Sequence, residues 1–128
     1  GAASDVLGRG RVIGLGIVLL IVADLVLAFA GGVTLVLIGV VFWGLHMGLT
    51  QGLLAALVAD TAPEDLRGTA FGVFNFAGGL AMLAASVIAG ALWDSFGPAA
   101  TFLAGAGFTT LALVGLALIS FRLAKRPR

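Results

Sequence analysis

Two ionisable side chains, Asp24 and His46, stand inside long apolar stretches of this chain and are its first candidates for chemistry. A carboxyl and an imidazole can each exchange a proton, and an imidazole changes charge near neutral pH. Trp43 precedes His46 by three residues and Thr50 follows it by four, so a helix would carry all three on one face. An aromatic ring, an imidazole and a hydroxyl on one face suit a solute cavity or a proton path. The plainer alternative is a neutral histidine hydrogen-bonded between helices. Asp24 reads as a proton or cation site, or as the partner of a basic group on another helix. The plainer alternative is a carboxyl kept protonated or hydrogen-bonded to a neighbouring helix. Asp24, Trp43, His46 and Thr50 are therefore the expected substrate or proton pathway.

Several other chemistries drop out. The chain has no cysteine, which removes disulfides, thiolate metal sites and cysteine nucleophiles. Its one histidine and six acidic residues are too scattered for a metal cluster, so neither metal nor cofactor is expected. No hydrolase or protease motif surrounds Asp24 or His46, so no enzyme is expected. The glycines from Gly8 to Gly14 resemble a dinucleotide motif, but their spacing is off by one residue and no strand precedes them. Nucleic acid is not an expected partner.

The elements that must hold these residues follow from composition. Hydrophobic residues make up 61% of the 128-residue chain and charged residues 10%, against about 25% charged in a soluble domain. A small soluble domain leaves too much surface in water to hide this apolar area; a lipid bilayer removes that problem. A hydrocarbon core of ~30 Å takes about 20 helical residues. Four stretches qualify, at about 12–30, 33–59, 69–93 and 99–121. The expected fold is an all-α polytopic membrane protein of four transmembrane helices. Residues 1–11 form a leading loop and residues 122–128 a basic tail. Gly31 and Gly32 break the first span from the second, segment 60–68 the second from the third, and segment 94–98 the third from the fourth. Pro98 is placed to start a helix.

All seven basic residues then fall at one boundary: Arg9 and Arg11, Arg67, and Arg122, Lys125, Arg126 and Arg128. The positive-inside rule makes both termini and the 60–68 connection cytoplasmic, in a cell (inner) membrane. Arg9 and Arg11 before an apolar run ending in Ala28-Phe29-Ala30 also resemble a signal peptide. Length, Asp24 and three following spans argue against that. Asp24 costs about 2.5–3.5 kcal/mol at mid-span, and each large apolar residue returns roughly 0.3–0.6. Thirteen Leu, Ile, Val and Phe residues let the first span insert nonetheless. Gly44, Gly48 and Gly52, with Ala56, make a small-residue stripe roughly opposite His46, suited to close helix packing. Asn75, in an Ala- and Gly-rich third span, is expected to hydrogen-bond between helices. The fourth span, uncharged between Asp94 and Arg122, reads as lipid-facing.

The two charged segments at the basic boundary together resemble the major facilitator superfamily of transporters. Gly1, Asp5, Gly8 and Arg9 match the loop signature G-x-L-a-D-r-x-G-r-r/k; Ala3, Val6 and Gly10 depart from it, and Arg11 comes one place late. Asp60 and Arg67-Gly68 match the acidic-x6-Arg-Gly pattern of the equivalent loops. The resemblance covers the whole chain and implies a 12-helix parent, of which this segment is part of the C-terminal half: the loop before helix 9, then helices 9 to 12. It implies transport of a small-molecule solute by alternating access, with proton-coupled efflux as one option. Asp5, Arg9, Asp60 and Arg67 would form a charge network at the cytoplasmic mouth. The second span would line the central cavity and the first and fourth would be peripheral. The expected partners are the lipid bilayer, the N-terminal helices of the parent and the solute. The chain starts at Gly1 rather than Met, as a fragment or a trimmed chain would. A stand-alone four-helix scaffold or assembly subunit is the alternative. Reporter fusions give the direct check on topology: segment 60–68 and the tail are expected on the same side, and opposite sides would end the four-span reading.

Overall fold

A computed structural model describes residues 8–127. Four helices follow one another: α1 (Arg9–Ala28), α2 (Val33–Thr61), α3 (Arg67–Phe96) and α4 (Pro98–Ala124), with a short 3-10 turn at Glu64–Leu66 before α3. All four are long and apolar enough to cross a bilayer. The chain is thus an all-α polytopic membrane protein of four transmembrane helices. Helix is the required form here, because every main-chain polar group must be satisfied within the span when lipid surrounds it.

Each break has a local cause. α1 ends where the Phe29 N–H turns back to Leu25 O at 3.2 Å and Gly32 adopts an extended backbone. Ala62 takes φ −79° and ψ 140°; it precedes Pro63, whose ring disfavours helical geometry in the residue before it. Gly97 alone joins α3 to α4, at φ +90°, a region open to glycine and costly for other residues. Pro98 then opens α4 without needing an N–H partner.

The helices outrun the apolar stretches. α1 begins at Arg9 rather than 12, α2 continues to Thr61 rather than 59, and α3 spans Arg67–Phe96 rather than 69–93. Apolarity marks where lipid begins, whereas hydrogen bonding marks where a helix stops. Asp60, Thr61, Asp94 and Ser95 therefore extend the helices into the interface.

α1 is the central element. Its buried residues Val12, Gly16, Ala23, Asp24 and Ala28 form a lengthwise band, and α1 packs on both α2 and α4. α4 therefore does not face lipid all round, as its composition suggested. Gly105 and Ala106 are small enough to bring its backbone against α1. α3 has no buried residue. It is held to α4 by an edge-to-face contact of Trp93 on Phe102, with ring centroids 6.3 Å apart, and by a 3.3 Å hydrogen bond from Thr101 Oγ1 to Ala89 O.

Gly39 shows how tight the α1–α2 approach is: a Cβ there would lie 2.6 Å from Leu27 Cγ. Gly39→Ala is expected to lower stability by roughly 1–3 kcal/mol through overpacking. Gly44→Ala, whose Cβ meets open space, should be neutral or stabilising by up to about 1 kcal/mol from helix propensity. SDS titration in mixed micelles, followed by tryptophan fluorescence, reads both.

Candidate functional site

Three polar places are built on this framework, and α1 takes part in all of them. The first is a crossing of α1 and α2. Gly16 has no side chain, and a Cβ there would run into the Thr50 methyl group. That close approach lets the His46 Nδ1–H donate to Gly16 O at 2.8 Å. Donation fixes the proton on Nδ1 and leaves Nε2 of a neutral ring as an acceptor. Thr50 is buried, and its hydroxyl donates to His46 O in its own helix at 2.9 Å. Trp43, 47% exposed, stands clear of this crossing. Of the expected trio, His46 and Thr50 meet at α1, while Trp43 faces outward.

The second place is Asp24, 9% exposed on the α1 band. Its carboxyl lies directly against the α4 backbone: a Cβ on Gly105 would come 2.8 Å from Asp24 Oδ2. Beside it, α1, α3 and α4 line a half-open groove of about 530 Å³, with Leu20, Asp24, Ala85, Ile88, Gly105 and Phe108 among its walls. Asp24 and Gly16 are eight residues apart on α1, roughly 12 Å along the axis. The carboxyl and the His46 crossing make different contacts on α1 and among the described residues no ion pair joins them, but the imidazole is near enough to act on the carboxylate electrostatically.

The third place is the basic end of the bundle. Arg9 at the start of α1 pairs with Asp60 near the end of α2, Nη2 to Oδ2, at 2.5 Å. Arg67 Nε, at the start of α3, donates to Ala59 O in the last turn of α2 at 3.2 Å. Arg67 thus reaches the backbone beside Asp60 rather than its carboxylate. Asp5, the fourth member expected, lies outside the described residues. Both partners of the Arg9–Asp60 pair are about half exposed, with side chains 47% and 53% accessible, so within this chain it is worth only about 0–1 kcal/mol.

The glycine stripe points elsewhere. Gly44, Gly48 and Gly52 have nothing within 4 Å of where a Cβ would stand, so α1 meets the histidine face of α2 and the stripe stays open. Asn75 on α3 is exposed. The glycines that carry close contacts are Gly16, Gly39 and Gly105, none of which stood out in the sequence. Gly16 lies in a Gly-x-Gly pair and Gly105 in Gly-Ala-Gly, but twenty glycines in one chain hide the three that matter. Among the described residues, no group of three or more His, Cys, Asp or Glu gathers to hold a metal.

The His46 bond gives a measurable expectation. His46→Ala should cost about 0.6–1.7 kcal/mol, the range for interhelical hydrogen bonds in membranes. His46→Asn, which can present an N–H near the Nδ1 position, should recover most of it, and His46→Gln less. Unfolding midpoints in mixed micelles report the order.

Comparison with known proteins adds what geometry alone does not. The Major Facilitator Superfamily profile matches residues 1–128. An uncharacterized MFS-type transporter of Methanocaldococcus jannaschii is 34% identical over 121 residues, 94% of this chain and 29% of the archaeal protein. Uncharacterized proteins of Mycobacterium tuberculosis and Mycobacterium bovis are 36% identical over 67 residues, 52% of this chain and 16% of theirs. The chain therefore spans less than a third of the length of these relatives. No solved structure matches it significantly. A match over every residue, with four spans and a paired charge cluster at one end, places the chain in the Major Facilitator Superfamily.

Proposed function

We propose that this chain is a C-terminal segment of a 12-helix secondary transporter that moves a small solute by alternating access. The observation that carries the reading is the superfamily match along the full chain, and the archaeal MFS-type transporter relative supports it. In this reading both termini and the α2–α3 connection are cytoplasmic, since every basic residue sits at that boundary. The membrane is the cell's inner membrane. The open stripe of Gly44, Gly48 and Gly52 receives a helix of the parent's other segments. Trp43, exposed on α2, contributes to the solute cavity, with the His46 crossing behind it fixing the pose of α2. Four helices do not enclose a central cavity, so the segment alone transports nothing.

The charged end acts as a clamp in this reading. Arg9–Asp60 ties α1 to α2, and Arg67 ties α3 to the last turn of α2. One end of the half-bundle thereby moves as a body when two halves rock about a midplane site. Burial against the opposing half would strengthen the exposed pair beyond its present worth, because a pair removed from water is less screened. Proton coupling, if the parent uses it, would draw on His46 or Asp24, the ionisable groups within the spans.

Two measurements test this. The reading frame upstream of Gly1 should encode about eight further apolar spans; a start codon with none would leave a stand-alone scaffold. In the intact transporter, Asp60→Asn and Arg67→Ala should shift the ratio of inward- to outward-facing conformers and slow solute flux. Unchanged flux with both substitutions would remove the clamp.

A further inference from the structure

The cations of the chain divide by whether protein already holds them. Arg9 pairs with Asp60, and Arg67 donates to Ala59 O. Arg11 is a single unpaired charge on α1. Arg122, Lys125 and Arg126, at the end of α4, have no carboxylate partner among the described residues, and no acidic residue follows Asp94 in the sequence. Arg128, a fourth cation of this run, lies outside the described residues. Lys125 folds back along α4: its Nζ lies 4.4 Å from the centroid of the Phe121 ring. That cation–π contact holds the ammonium beside the start of the basic run instead of out in solvent.

Depth places this run among lipid headgroups. Arg122 follows Phe102 by 20 residues, roughly 30 Å along a helix, which matches the ~30 Å thickness of the hydrocarbon. Phe102 and its partner Trp93 are aromatics suited to one interface, so Arg122 emerges at the other. Just inside that edge Leu118, Ile119 and Phe121 are each 58–59% exposed, so apolar surface surrounds the helix immediately beneath its charges. A soluble anion would meet the cations and leave that surface uncovered. A molecule with a phosphate above and acyl chains below matches both. We propose that the end of α4, residues 118–126, is a binding site for anionic phospholipids: Arg122, Lys125 and Arg126 take the headgroup phosphate, and Leu118, Ile119 and Phe121 take the chains. A zwitterionic headgroup brings a cation of its own to a place with no carboxylate to receive it, so net-anionic lipids are preferred. The site is separate from the α2 face assigned to the solute cavity, and it stands whether or not the parent moves solute.

The chain has no cysteine, so a fluorophore can be placed at one chosen position. With bimane on Ala124→Cys in lipid nanodiscs, quenching by spin-labelled phosphatidylglycerol is compared with quenching by spin-labelled phosphatidylcholine at equal mole fraction. Attraction of roughly fivefold per cation at a membrane surface predicts a local preference of at least about fivefold for the anionic lipid. Arg122→Gln, Lys125→Gln and Arg126→Gln together should bring the two lipids level, whereas Arg122→Lys with Arg126→Lys should keep most of the preference. It should also collapse in 1 M salt, where the screening length is about 3 Å. With bimane instead on Ala62→Cys, beside Asp60, Glu64 and Asp65 at the same boundary, the preference should be several times weaker. Equal quenching by the two lipids at Ala124→Cys would overturn the proposal, and that result needs no change to the basic run. So would an equal preference at Ala62→Cys, which would make the effect one of the whole surface. Displacement of the lipid by millimolar glycerophosphoglycerol would overturn it too, since the cations would then serve a free phosphate ester.

Discussion

Lipid gives these helices no hydrophobic reason to associate, because acyl chains are as apolar as leucine. What holds α1 to its neighbours is close approach, and close approach is possible only where a side chain is missing. At Gly16 and Gly39 the α2 helix comes near enough that one added carbon would collide; at Gly105 the same holds between α4 and the Asp24 carboxyl. The polar contacts depend on those gaps. His46 reaches the Gly16 carbonyl because no Cβ keeps the two helices apart.

Hydroxyl groups follow a common rule across the bundle. Thr50, Thr61, Thr109 and Thr110 each donate to the carbonyl four residues earlier in their own helix. Within the spans, at Thr50, Thr109 and Thr110, such back-bonding satisfies a donor where water is absent, and it takes these threonines out of contention as proton donors to a bound solute. Thr101 differs in bonding Ala89 on another helix. It is the one threonine hydroxyl among the described residues that crosses between helices, next to the Trp93–Phe102 contact that also holds α3 to α4.

The four helices were legible in the sequence because length and apolarity suffice to specify a span. Faces were not. In a helix apolar on every side, the pattern carries no contrast between the side that meets protein and the side that meets lipid. The glycine stripe of α2 looked like the packing surface, and the His46 face like the one turned to a cavity. Within this chain α1 meets the His46–Thr50 face and leaves Gly44, Gly48 and Gly52 open. α4 looked uniform along its length, yet Gly105 and Ala106 bring it against a buried acid. At the charged end, the resemblance to the superfamily's loops implied a network of Asp5, Arg9, Asp60 and Arg67. The sequence could not show that Arg67 would take a main-chain carbonyl while Arg9 took the carboxylate.

Gly97 bears on how the protein is made. A single non-helical residue between two long rods turns α3 and α4 into a tight hairpin whose tip carries Asp94 as its one ionisable group. The Gly31-Gly32 tip between α1 and α2 carries none. Each hairpin tip can therefore cross the bilayer with at most one ionisable group at its turn. The arginines and the lysine flank the opposite ends of the two hairpins in the sequence and need not cross.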